Sequence, residues 1–147
     1  MKKTQVAILG STGSIGTQAL QVIADHPDRL EVYALTANSS AELLIEQARR
    51  FMPEVVVIAN EEKYSMVQEA LGDLPIKVFA GAQSIADVAA MEPIDIVLTA
   101  MVGYSGLYPT IRAIKAGKSI ALANKETMVV AGSLISELCQ QYHTKVY

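Results

Sequence analysis

The 147-residue chain has one cysteine, Cys139, no tryptophan and only two phenylalanines. A single cysteine forms no internal disulfide, so a reducing, intracellular setting is the default expectation. Twelve Lys and Arg stand against fifteen Asp and Glu, scattered singly, for a net charge of −3. Without a basic stripe there is no electrostatic footprint for a polyphosphate backbone, and nucleic acid is not expected as a partner. Long hydrophobic runs are missing too. Lys2 and Lys3 precede an apolar stretch, Val6 to Leu9, that stops at Gly10 and Ser11, short of a signal-peptide core. The longest uncharged stretch, Ile96 to Ile111, carries Gly103, Ser105, Gly106 and Pro109 and falls short of the ~18–20 apolar residues of a spanning helix. The expectation is a soluble, cytoplasmic protein with no membrane partner. Metal-ligand spacings are also absent: there is no Asp-x-Glu, His-x-x-x-His or Cys-x-x-Cys, His26 sits beside Pro27 and His143 lies near the chain end. Cys139, in an apolar helical stretch, reads as a packing residue.

What is present is aliphatic. The chain is 51% hydrophobic but 5% aromatic, the composition of buried parallel strands covered by helices, and its length suits one domain. Short β-branched runs alternate with helical patterns. Strands are expected at Gln5 to Leu9, Glu31 to Leu35, Glu54 to Ile58, Lys77 to Phe79, Asp95 to Leu98 and Ser119 to Ala123. Helices are expected at Ile15 to Ala24, Ala41 to Phe51 (stopped by Pro53), Glu61 to Leu71, Ser84 to Met91, Tyr108 to Ala116 and Lys125 to Gln141. The strand at Asp95 to Leu98 reads as strongly buried, and Lys145 to Tyr147 as the opening of a further strand. This alternation predicts an α/β fold: a doubly wound, mostly parallel sheet with helices on both faces and ligands at the carboxyl ends of its strands.

Gly10, Gly13 and Gly16 stand directly between the first strand and the first helix. Gly10 suits a tight turn, Gly13 lets the backbone approach a pyrophosphate, and Gly16 lets the helix pack against the strand. The first-turn amides would then face the phosphates. The spacing is G-x-x-G-x-x-G rather than the commoner G-x-G-x-x-G, yet its strand-to-helix context favours dinucleotide binding over an ordinary turn. NAD enzymes usually place Asp or Glu about 20 residues further on; here Thr36 to Ser40 carry no carboxylate. That tilts the preference toward NADP, with Asn38, Ser39 and Ser40 as neutral donors and also as the cap of the next helix. Arg49 and Arg50 lie further along that helix. Asn124 is a natural N-cap, whereas Lys125 in a first helical turn is disfavoured by the macrodipole unless an anion sits nearby. It is either a ligand for a substrate phosphate or a solvated lysine. The loop from Thr99 to Gly106 is either a plain turn or, through Gly103 and Gly106, a close approach to the nicotinamide.

The sequence ILGSTGSIG, Ile8 to Gly16, followed later by LANKE, Leu122 to Glu126, resembles the amino-terminal domain of the 1-deoxy-D-xylulose 5-phosphate reductoisomerase family, and the similarity runs along the whole chain. The resemblance implies a Rossmann domain at residues 1–147 of an NADPH-dependent oxidoreductase. In that family, 1-deoxy-D-xylulose 5-phosphate is rearranged and reduced to 2-C-methyl-D-erythritol 4-phosphate in non-mevalonate isoprenoid biosynthesis. It implies Thr12, Gly13, Ser14 and Ile15 on the pyrophosphate and neighbouring ribose, Asn124 and Glu126 on the cofactor, and Lys125 on the sugar phosphate. The family usually has Gly, a variable residue and Asn where this chain has Asn38, Ser39 and Ser40. It also implies a divalent metal, Mg or Mn, held by an Asp-x-Glu motif past Tyr147 and by a later catalytic domain, a homodimer at full length, and no turnover by this chain alone. Two other readings share the glycine loop: the cofactor domain of a semialdehyde or acyl-phosphate reductase, which needs a catalytic cysteine at a strand end, and a non-enzymatic nucleotide-sensing module.

Overall fold

The computed structural model describes residues 2–101, 105–123 and 125–147, with side chains described for all of these except 125–132. The six strands are β1 (Thr4–Leu9), β2 (Leu30–Ala37), β3 (Val55–Ile58), β4 (Lys77–Ala80), β5 (Ile96–Thr99) and β6 (Ser119–Leu122). They alternate with α1 (Ser14–Asp25), α2 (Ala41–Phe51), α3 (Tyr64–Ala70), α4 (Ala82–Ala89), α5 (Leu107–Lys115) and α6 (Lys125–Tyr142). The strands form one sheet in the order β4-β3-β2-β1-β5-β6, every neighbouring pair parallel. The chain winds outward from β1 to β4, crosses back, and continues from β5 to β6. The switch point therefore lies between β1 and β5.

Each face of the sheet is roofed by three helices. Val6, Ile8, Val56 and Ile58 point to the side covered by Leu20 and Ile23 of α1, Leu44 and Ala48 of α2 and Val67 of α3. Ala7, Leu9, Val55, Val57 and Val97 point to the side covered by Ile85 and Val88 of α4, Ala113 and Ile114 of α5 and Ile135 and Cys139 of α6. Cys139 is a buried free thiol within that second layer, as its apolar setting predicts. Period-2 alternation holds in β1, β3 and β5 but breaks in β2, where Val6 pairs with Val32 and Ala7 with Ala34, leaving Tyr33 as the extra residue of a bulge.

The observed elements differ from the sequence reading chiefly at their ends. β2 runs to Ala37, two residues past Leu35, because it continues to pair with both β1 and β3. The expected helix at Glu61 to Leu71 opens as a 3₁₀ turn, Glu61–Lys63, where the Asn60 side chain accepts from the Glu62 amide at 3.1 Å. β5 is less enclosed than expected. Val97 and Thr99 are buried, while Ile96 and Leu98 are half-buried because they face the α1–α3 side, whose helices lie over the other half of the sheet. The end of the chain adds beside β6: Val146 bridges Ile120 in parallel, with Ile120 N donating to Lys145 O at 2.8 Å and Tyr147 N to Ile120 O at 2.7 Å. Lys145 to Tyr147 thus form an isolated parallel bridge to β6 rather than a strand of their own. No helix among the described residues is long and apolar enough to cross a membrane.

Candidate functional site

The turn between β1 and α1 is held by backbone contacts that leave no room for side chains at two of its three glycines. Gly10 has φ +89°, and a Cβ there would lie 2.9 Å from the Ala100 carbonyl oxygen just past β5. Conformation and crowding both exclude another residue. At Gly16 a Cβ would overlap the Gly10 carbonyl oxygen and stand 2.6 Å from Ser11 Cα, so α1 can leave the strand this closely only with glycine there. Gly13 is different. Its φ is −79°, and a Cβ would meet nothing nearer than the Gly10 oxygen at 3.8 Å. The packing of the described residues leaves this position open toward the loop mouth.

The loop is pinned from behind by β2 and α2. Gly10 and Ser11 donate their amides to the Thr36 carbonyl at 3.1 and 2.8 Å, and Thr36 Oγ1 accepts from Gly10 as well. The fully buried Ser11 donates its hydroxyl to Gln47 Oε1 at 2.8 Å, and Gln47 Nε2 donates back to Ser11 O at 2.9 Å. Gln47 lies on the buried face of α2 beside Leu44 and Ala48. A polar side chain there is stable because both ends of its amide are satisfied. With the loop so fixed, α1 starts at Ser14 with Gly13 as N-cap, no side-chain cap and no acidic residue in its first turn. Its amides present partial positive charge to whatever occupies the mouth, the arrangement that favours an anion.

A cleft of about 410 Å³ opens beside this mouth, within the size range of small-molecule sites. Gly10, Thr12 and Gly13 line one side, Thr36 and Asn38 the end of β2, and Ala82, Ile85 and Tyr108 the wall from α4 and α5. It sits at the carboxyl ends of the strands around the switch point, where ligands of open α/β sheets bind. Asn38 is held to the end of β3, its carbonyl accepting from the Asn60 amide at 2.8 Å, and Ser39 Oγ accepts from Asn60 Nδ2 at 3.4 Å. Ser40 stands at the N-cap position of α2 but makes no side-chain cap bond. No carboxylate lies in this segment. Arg49 is engaged elsewhere, donating to Ala70 O at 2.6 Å and to Asp73 at 2.9 Å, and Arg50 sits over the Phe51 ring.

On the outer wall, Arg112 Nη1 donates to Asp87 Oδ1 at 3.0 Å and lies 3.5 Å from Tyr108 Oη, while Gln83 Nε2 donates to Asp87 Oδ1 at 3.1 Å. The Gln83 amide and the Arg112 guanidinium hold the Asp87 carboxyl below its usual range and lower the Tyr108 phenol as well. At the opposite end of the sheet, buried Lys118 donates to the Glu92 carbonyl at 2.8 Å; burial lowers its pKa, against the opposing pull of Asp95 and Glu92.

The remaining expected positions divide. Asn124 and Gly103 lie outside the described residues, and Lys125 and Glu126 open α6 with side chains that are not described. Gly106 is accounted for by packing: a Cβ would stand 2.7 Å from Thr99 Cγ2, and Thr110 Oγ1 ties Gly106 O at 2.6 Å to the β5 hydroxyl of Thr99 at 3.0 Å. Among the described residues no group of three or more His, Cys, Asp or Glu is placed to hold a metal ion. Sequence reasoning missed Thr36, Gln47, Asn60 and Tyr108. Only Gln47 carried a visible signal, as a polar residue on the apolar stripe of α2.

The family model described as 1-deoxy-D-xylulose 5-phosphate reductoisomerase matches residues 6–132. The reductoisomerase of Phocaeicola vulgatus is 70% identical over 144 residues, which cover 98% of this chain and 38% of that protein. The solved Zymomonas mobilis reductoisomerase in complex with NADPH superposes with a TM-score of 0.94 at 37% identity, covering 99% of this chain and 38% of that one. A reductoisomerase structure with NADPH, fosmidomycin and magnesium gives a TM-score of 0.92 at 34% identity, covering 97% of this chain and 35% of that one. The chain thus spans under two-fifths of the length of the relatives it matches.

Proposed function

The chain belongs to the 1-deoxy-D-xylulose 5-phosphate reductoisomerase family, and from that premise we propose that it is the NADPH-binding portion of an enzyme that rearranges and reduces 1-deoxy-D-xylulose 5-phosphate to 2-C-methyl-D-erythritol 4-phosphate for isoprenoid biosynthesis. The observation that carries the cofactor reading is the loop itself: an uncapped α1 start beside a glycine whose missing Cβ the surrounding packing does not require.

In this reading the amides of Ser14 and Ile15, with Thr12 and Gly13, bind the pyrophosphate; Gly10 and Gly16 set the loop shape that aims them. Asn38, Ser39 and Ser40 take the phosphorylated ribose as neutral donors, with no carboxylate to repel it. Bound NADPH supplies the hydride. Asn124 and Glu126 contact the cofactor, and Lys125 binds the phosphate of the sugar substrate as a compact charge. Its place in the first turn of a helix, where a cation is otherwise disfavoured, fits a neighbouring anion.

The magnesium of the related structures finds no ligand set among the described residues. In this proposal the metal, Mg or Mn, the catalytic centre and the dimer contacts belong to the further length that the relatives have, and this chain alone binds cofactor without turning it over. A cytoplasmic location is part of the same reading. The acyl-phosphate reductase alternative is disfavoured because Cys139 is buried under the sheet rather than placed at a strand end. Calorimetric titration of the purified chain with NADPH and NADH tests the reading. Saturable binding with NADPH the tighter ligand is expected; no NADPH binding, or tighter NADH, overturns it.

A further inference from the structure

The cleft has two chemically different walls. Its inner wall is backbone and small polar groups: Gly13 at the head of α1, and Thr36 and Asn38 at the end of β2. Its outer wall, from the end of β3 and from α4 and α5, includes Ala59, Ala82, Ile85 and Tyr108. The first suits phosphate and ribose, the second a flat, apolar base. Asn38 and Ala59 belong to adjacent strand ends, which the bonds from Ala59 N to Ala37 O at 2.9 Å and from Asn60 N to Asn38 O at 2.8 Å hold together. The apolar wall therefore continues from the ribose-facing loop after β2. The cleft crosses the switch point, from Asn38 past β2 to Tyr108 on α5, which follows β5, whereas Lys125 lies further out, past β6; the base attached to the phosphorylated ribose that the Asn38 loop takes is the adenine.

Tyr108 is unusual on that wall. It is 51% exposed, an aromatic ring left in solvent where a ring in this aliphatic chain would be expected to bury. Yet it is not loose. Arg112, one turn later on α5, lies 3.5 Å from its hydroxyl and 6.0 Å from its ring centroid, and Arg112 is itself fixed by Asp87 of α4, which Gln83 holds in turn. Three side chains from two helices thus brace one exposed ring at the cleft.

Resting on the reading of this cleft as the NADPH site, we propose that Tyr108 is the wall on which the adenine base of the cofactor stacks, with Arg112 as its positioning residue. Stacking on an aromatic face is tolerant of the base but demands a ring held at a fixed angle, which the Arg112–Asp87 pair provides.

The test titrates the wild-type chain and the variants Tyr108→Ala, Tyr108→Phe and Arg112→Ala with three ligands: NADPH, adenosine 2′,5′-bisphosphate and reduced nicotinamide mononucleotide. Tyr108→Ala is expected to weaken NADPH and the bisphosphate by a similar factor, on the order of ten- to a hundredfold, with no change for the mononucleotide. Tyr108→Phe retains most of the affinity. Arg112→Ala weakens the two adenine ligands by a smaller factor, and that loss shrinks when the Phe variant is the background, because the hydroxyl contact is already gone. Tyr108→Ala that binds the bisphosphate like wild type, or loses the mononucleotide instead, overturns the proposal while leaving the cofactor reading intact. Failure of the wild-type chain to bind NADPH overturns that reading and the proposal with it. Circular dichroism melts of each variant separate a lost contact from a lost fold.

Discussion

Replacing Gly16 and Gly13 by alanine, one at a time, separates what the glycine loop does for folding from what it does for a ligand. At Gly16 the new methyl would overlap the Gly10 carbonyl oxygen and stand 2.6 Å from Ser11 Cα. Both neighbours are backbone, and both are pinned: Ser11 by Gln47 and Thr36, Gly10 by Thr36. Neither can yield cheaply, so an overpacking cost of about 1–3 kcal/mol or more is expected, reduced by the ~1 kcal/mol that alanine gains over glycine inside a helix. With the cost at the upper end of that range, since both clashing atoms are pinned backbone, a net loss of about 2 kcal/mol lowers the melting temperature of a domain this size by roughly 4–8 °C. At Gly13 the methyl meets only one atom, at 3.8 Å, with φ already at −79°. The poorer cap and the stiffer unfolded chain nearly cancel, leaving a change within about 0.5 kcal/mol. The same methyl stands where a pyrophosphate must approach, and losing one charge-assisted bond of about 1.5–3 kcal/mol weakens NADPH roughly 10- to 150-fold. Thermal melts by circular dichroism and calorimetric titration read the two effects. Gly13→Ala that binds NADPH like wild type, or Gly16→Ala that melts at the wild-type temperature, refutes the reasoning.

Gln47→Leu should cost about 1–3 kcal/mol in urea unfolding, since it removes both bonds that Gln47 makes to the buried Ser11, and it should weaken NADPH because the loop loses that support; unchanged affinity would mean the loop shape does not depend on α2. Asn38→Asp places a carboxylate at the ribose-facing end of β2 and should move the NADPH-to-NADH preference toward NADH, read by parallel titrations. In the full-length enzyme, Lys125→Ala should raise KM for the sugar phosphate or lower kcat with NADPH affinity nearly unchanged, and unaltered kinetics would leave Lys125 a solvated lysine. For Lys118, burial lowers the folded-state pKa, so between that value and the ordinary lysine value the unfolded chain binds more protons and stability rises with pH. Wild type should therefore gain on Lys118→Met as the pH of denaturant unfolding is raised from about 8 to about 11; a gap independent of pH would contradict the burial effect.

The parts of this fold that follow local rules were legible. α2 spans Ala41–Phe51 as its apolar spacing and Pro53 dictate, and the strands fall where β-branched runs stand between turn residues. The tertiary features were not. Nothing local marks Tyr33 as a bulge, because the register shift is set by the pairing of β1 with β2. The half-exposure of Ile96 and Leu98 depends on which helices roof which half of the sheet, a property of strand order. In the site, the strand–glycine–helix context was enough to locate the loop and to assign Gly10 to its turn and Gly16 to close helix packing. Its support was hidden, since Ser11 and Gln47 are 36 residues apart and Asn60 meets Ser39 across 21. Arg49 shows the same. Its place further along α2 was legible, but its partner Asp73, 24 residues on, was not.

The central claim is that the head of α1 and the end of β2 together hold the cofactor, and an amide-resolved NMR titration of the ¹⁵N-labelled chain with NADPH tests it most directly. Saturable shifts are expected at Thr12 to Gly16 and at Asn38 to Ser40, with the largest at the first-turn amides of Ser14 and Ile15. Shifts confined to the far edge of the sheet, around Gly72 and Phe79, or no saturable shift at the α1 head, would contradict the account.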